Sequence, residues 1–176
     1  MKIEDMSIID FALHVADYLY NNGIEVVLSG GSCVTIYTKN KYISYDLDFV
    51  LISHIVPKKI KETLERIGFQ EKGKYFKHKK SQYLIDFLSP PLSLGEEPVK
   101  EISKIRKGNK VLMLLSPTDC VKDRLAAYYH WNDEQSFDQA LMVYKENQVD
   151  LGEVERWSLN EGMEDKFKVF KESLPY

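Results

Sequence analysis

The sequence predicts an α/β (α+β) fold, a mixed twisted sheet with flanking helices and a C-terminal helical region. Three observations predict it. Short runs rich in β-formers alternate with helical periodicity through the first two-thirds of the chain. Glycine and proline signals punctuate those runs at short intervals. After Ser116 only helical patterns remain. Residues 1–115 therefore read as an α/β core and 116–176 as a helical region packed on it.

Ser7 to Asn21 carries Ile8, Ile9, Phe11, Ala12, Val15 and Leu19 on one helical face, and Asn22-Gly23 stops it. Glu25 to Leu28 is a short apolar strand ending in Ser29-Gly30-Gly31. Ser32 can cap a helix reaching Lys39. Tyr45 to Ile52 is a strand. Pro57 suits the first turn of a helix to Ile67, closed by Gly68. Tyr75 to Lys80 and Tyr83 to Leu88 read as strands, and residues 89–98 as loop. Lys107-Gly108-Asn109 joins Glu101–Arg106 and Lys110–Leu115 as a hairpin. Ser116-Pro117-Thr118-Asp119 is a capping box that opens a helix to Trp131. Further helices cover Gln135–Asn147, Leu151–Trp157 and Met163–Ser173. The aromatic residues Tyr128, Tyr129, Trp131 and Phe137 read as packing between helices.

The chain of 176 residues can bury a core without staples. Its two cysteines, Cys33 and Cys120, are too few and too far apart for a disulfide scaffold or a zinc motif, and they fit a reducing cytoplasm. The four histidines lack ligand spacing. Charges interrupt the N-terminal residues as a signal peptide, and no apolar run reaches membrane-spanning length. The net charge of −3 hides an asymmetry: residues 58–110 hold fourteen Lys/Arg against seven Asp/Glu, a net of +7, and the rest sums to −10. Such lysines ordinarily form a solvated face, and they can also meet a polyanion such as RNA.

The chemistry concentrates in Leu28-Ser-Gly-Gly-Ser32 and Tyr45-Asp-Leu-Asp-Phe49. Residues two apart on a strand share a face, so Asp46 and Asp48 project side by side and repel. A hard divalent cation relieves that repulsion and prefers carboxylates plus substrate phosphates. Asp86 is a lone acid in Leu84-Ile-Asp-Phe-Leu88, and it completes a triad if the two strands are neighbours. Gly30-Gly31-Ser32 joins a strand to a helix start, where free N–H groups attract phosphate.

These segments together resemble the nucleotidyltransferase superfamily with the polymerase β-like fold, closest to small bacterial AbiEii-like and minimal nucleotidyltransferases. Val121-Lys-Asp-Arg-Leu-Ala-Ala127 and Phe137-Asp-Gln-Ala-Leu141 resemble that branch's downstream segments, though Trp131-Asn132-Asp133 stands where many relatives carry Arg-Asp. The resemblance implies metal binding by Asp46, Asp48 and Asp86, with Mg²⁺ or Mn²⁺ as cofactor. It implies that Asp86 helps deprotonate an acceptor hydroxyl, and that Gly30, Gly31, Ser32 and Lys122 hold a nucleoside triphosphate. The implied activity is transfer of a nucleoside monophosphate to RNA or protein. A different class stays open beside it: a non-catalytic binding module, such as a toxin–antitoxin component with a partner protein.

Overall fold

A computed structural model describes Lys2 to Leu174. After a 3₁₀ turn at Ile3–Asp5, the chain runs α1 (Ile8–Asn21), β1 (Val26–Ser29), α2 (Gly30–Tyr37), β2 (Asp46–Leu51), α3 (Pro57–Glu65), β3 (Phe69–Lys72), β4 (Tyr75–His78) and β5 (Leu84–Leu88). It continues with β6 (Ser93–Leu94), β7 (Glu97–Pro98), β8 (Ile102–Lys107), β9 (Lys110–Leu115), α4 (Pro117–Trp131), α5 (Glu134–Glu146), α6 (Leu151–Asn160) and α7 (Glu164–Glu172).

Seven strands form one mixed sheet in the order β3-β4-β5-β2-β1-β9-β8. The pairs β1–β9 and β2–β5 are parallel, and the other pairs are antiparallel. Alternation divides the β3-β4-β5-β2 half into two unlike faces. Phe69, Phe76, His78, Ile85, Leu47 and Phe49 are buried on one face. There α1 brings Phe11 against Phe69 and Tyr83, at ring-centroid distances of 5.9 and 5.1 Å. On that face Lys61 of α3 also pairs with Glu71 at 3.0 Å. The opposite face carries Asp46, Asp48, Leu84 and Asp86.

Two strand pairs depart from the expectation. Phe69–Lys72 is a strand although only Phe69 is buried, because an edge strand whose other positions are solvated shows no alternation. The stretch expected to be loop holds the small β6–β7 hairpin, buried at Leu94 under the indole of Trp157, which donates to the Leu94 carbonyl. Helix α2 begins three residues early, with Gly30 and Gly31 in its first turn and Ser29, not Ser32, at the cap position. Ser116 does cap α4, accepting from the Asp119 N–H at 3.1 Å. The terminal helices pack through Tyr129, Phe137, Trp157, Phe167 and Phe170, all buried. Trp131, expected in that core, is 76 % exposed. It ends the last turn of α4, where Asn132 turns left-handed at φ 52° and the chain leaves the bundle. Among the described residues, no helix is long and apolar enough to cross a membrane.

Candidate active site

Register does most of the work of assembly. Strand β2 lies between β1 and β5, so Asp48 faces Ser29 on one side and Asp86 on the other. Asp46 lies beside Leu84, two residues along the same face. The sequence-predicted aspartates thus share one face of two adjacent parallel strands, at the mouth of the Gly30-Gly31 turn.

The approach of the turn to Asp48 is close. Gly30 has φ +65°, and a Cβ there would lie 2.1 Å from Oδ2 of Asp48. Glycine is required both for the left-handed backbone and for that clearance. Ser29 Oγ donates to the Asp48 carbonyl at 3.2 Å, tying the turn to β2. Ser44 Oγ donates to the Asp46 carbonyl at 3.1 Å and orders the entry to β2. Ser32 is fully buried, and its hydroxyl donates back to the Ser29 carbonyl at 3.2 Å. It braces the turn from inside.

Helix α4 closes the site from above. The Gly30 N–H donates to Asp123 Oδ2 at 3.2 Å, and that oxygen also receives Arg124 Nη2 at 2.6 Å. Arg124 Nη1 reaches Gln139 Oε1 of α5 at 3.3 Å, which fixes the guanidinium. The carboxylate on the glycine N–H occupies the place where an anionic ligand group would be received. Burial pushes the Asp48 carboxyl up; Arg124 pulls it down, but Asp123, Asp86 and Asp46 add to the rise, and it stands at about 6.

Two predicted residues sit differently. Asp86 is nearly buried, but its Oδ2 accepts from Lys74 Nζ at 2.8 Å and its Oδ1 from the Phe87 N–H at 2.9 Å. Lys122 is not brought to the aspartates. Its ammonium is buried on another face of α4, 3.1 Å from Asp119 and 3.2 Å from Glu153, in a cavity of about 420 Å³ lined also by Thr118 and Asp150. The cation beside the glycine turn is Arg124. Residues two apart on a helix face different sides, so only one of Lys122 and Arg124 can meet the turn, and the packing of α4 selects Arg124. Lys74 had no local signal; it acts across a strand pair.

Among the described residues, no group of three or more His, Cys, Asp or Glu side chains is drawn together as a metal-holding cluster. The donor set nevertheless fits a hard cation in chemistry: Asp46 and Asp48 offer only oxygen and project from one face of β2. Asp86, on the same face, is held by Lys74 instead.

No protein-family profile matches the sequence, and no curated protein matches it. Among solved structures the chain is similar to an antigenic nucleotidyltransferase-like protein from Paracoccidioides brasiliensis. The two align with a TM-score of 0.59 at 11 % identity, over 77 % of this chain and 74 % of that one. The fold of the chain is accordingly nucleotidyltransferase-like: a mixed seven-stranded sheet with helices packed against it.

Proposed function

We propose that the chain transfers a nucleoside monophosphate from a nucleoside triphosphate to a hydroxyl acceptor. The observation that carries this reading is the register of Asp48, set between the glycine turn and Asp86. Asp46 and Asp48 would hold Mg²⁺ or Mn²⁺, which neutralises phosphate charge and polarises the α-phosphorus. The Gly30 N–H and Arg124 receive the triphosphate, whose oxygens displace the Asp123 carboxylate. Asp86 takes the acceptor's proton once Lys74 moves aside. The acceptor oxygen bonds to the α-phosphorus, the bond to the bridging oxygen breaks, and pyrophosphate leaves with its electron pair. Positioning and charge neutralisation supply the catalysis.

A second reading has its own support. Asp86 is paired with Lys74, and Asp123 sits on the Gly30 N–H, so the site satisfies itself internally. A non-catalytic binding module, such as one half of a toxin–antitoxin pair, would keep such pairs. Incubation with α-labelled and γ-labelled triphosphates, Mg²⁺, cellular RNA and cellular protein separates the readings. Nucleotidyl transfer predicts acceptor labelling from the α-position only, abolished by Asp46→Asn/Asp48→Asn. Labelling from the γ-position would replace it with phosphotransfer, and no labelling at all would favour the binding module.

A further inference from the structure

The basic excess of the middle of the chain is not spread evenly. Residues 58–80 hold nine Lys/Arg against three Asp/Glu, so +6 of the +7 lies in the segment from α3 through the turn after β4. Within that segment β3 and β4 form the edge of the sheet next to β5, which carries Asp86. Register then sorts the lysines by face. Lys77 pairs with Leu84 across β4–β5, and Gln70 pairs with Lys77 across β3–β4. Leu84 shares its face with Asp86, so Lys77 and Lys72 lie on the aspartate face of the sheet. The same register sets Tyr75 beside Asp86, and Lys72 beside Tyr75. Lys72 and Lys77 are exposed, and neither takes part in an ion pair among the described residues. Tyr75 is half-buried, with the Lys74 ammonium 4.7 Å from its ring centroid and 2.8 Å from Asp86.

We propose that this face, formed by Lys72, Tyr75 and Lys77 with Lys74 at its inner end, is the docking surface for the single-stranded 3′ end of an RNA. The inference rests on the nucleotidyl-transfer reading, since it supplies the acceptor that Asp86 would deprotonate. Charge complementarity argues for a polyanion. The tyrosine argues for a nucleic acid over other polyanions, because unpaired bases stack on aromatic rings whatever their sequence. RNA characteristically offers such unpaired ends. Strands lie about 4.8 Å apart, so the lysines of β3 and β4 fall within about 10 Å of the Asp86 strand. The other basic edge, Lys104 and Arg106 on β8, is four strands away from β5, about 19 Å, and it lies beside the Asp17 carboxylate in a separate cavity. That edge cannot guide a strand end to Asp86.

The test is fluorescence anisotropy with a 5′-labelled twelve-nucleotide RNA, alongside triphosphate titrations in the same buffer. Lys72→Glu/Lys77→Glu should weaken RNA binding about tenfold or more and reduce the slope of log K against log salt by about 0.7 per lysine. Tyr75→Ala should weaken it about tenfold, and Tyr75→Phe should restore it. Lys104→Glu/Arg106→Glu should leave it unchanged. All four variants alter partly or fully exposed residues, and thermal melting checks that each is folded. Wild-type RNA affinity in Lys72→Glu/Lys77→Glu would overturn the inference, as would an equal loss in Lys104→Glu/Arg106→Glu, or equal affinity for DNA of the same sequence. Loss of RNA binding with intact triphosphate binding in the β3–β4 variant supports it. A wild type that binds RNA in this pattern but no triphosphate keeps the surface and removes the nucleotidyl-transfer reading.

Discussion

Replacing Asp48 by asparagine should stabilise the metal-free protein while removing its function. The carboxyl stands at about 6 in the folded chain against an ordinary value of 3.8. Burial is the first cause, and the surrounding Asp123, Asp86 and Asp46 add to it against the pull of Arg124. A folded-state value above the unfolded one means that folding favours the protonated form. The stability so gained is fully present below the unfolded value and is lost as pH rises through the folded value. Between pH 4 and 7 the loss amounts to about 2 pH units at roughly 1.4 kcal/mol each, so about 3 kcal/mol as an upper figure. Asparagine keeps the shape without the charge, and should recover about 1–3 kcal/mol at pH 7, or several degrees in Tm for a chain of this size. Differential scanning calorimetry of wild type and Asp48→Asn at pH 5, 6, 7 and 8 is the assay. The gap between the two should widen from pH 5 to pH 7 and then level, and Mg²⁺ should raise the Tm of the wild type alone. An Asn variant no more stable than wild type at pH 7, or a pH-independent gap, would refute the reasoning.

Other outcomes follow from the same geometry. Gly30→Ala should cost about 1–2 kcal/mol from its positive φ alone and push the Asp48 carboxylate aside, whereas Gly31→Ala meets Ser44 Oγ only at 3.3 Å and should be milder; denaturant titration compares them. Lys122→Met leaves Asp119 and Glu153 without their shared cation and should destabilise by about 3 kcal/mol, yet leave triphosphate affinity of the folded protein unchanged in calorimetry. Arg124→Lys loses the fork that joins Asp123 to Gln139, and should weaken triphosphate binding about tenfold; unchanged affinity would remove Arg124 from the site.

Much of the site was legible because its signals are local. Asp46 and Asp48 share a face by the period of a strand, and Gly30 announces its turn by residue type alone. Asp86 was legible as a charge that its own apolar strand could not satisfy. Its partnership with Asp48 is a matter of register between distant strands, which the alternation permits but does not dictate. Where the reading failed, a neighbouring element decided. Lys122 and Arg124 are two residues apart on one helix, and the packing of α4 on α2 and α5 decides which of them faces the glycine turn. Strand β3 hides because its exposed positions are Gln70, Glu71 and Lys72, leaving a single buried residue and no period to detect. Trp131 was expected in the core because its aromatic neighbours are there, but the helix ends under it.

The central claim is that the aspartate face and the glycine turn receive a metal–triphosphate together. Isothermal titration with each of the four nucleoside triphosphates, with and without Mg²⁺, beside Asp46→Asn/Asp48→Asn, tests it most directly. The account predicts saturable binding of at least one triphosphate that needs Mg²⁺ and disappears in the double variant. Absence of binding to all four by the folded wild type, or binding that the double variant retains in full, would contradict it.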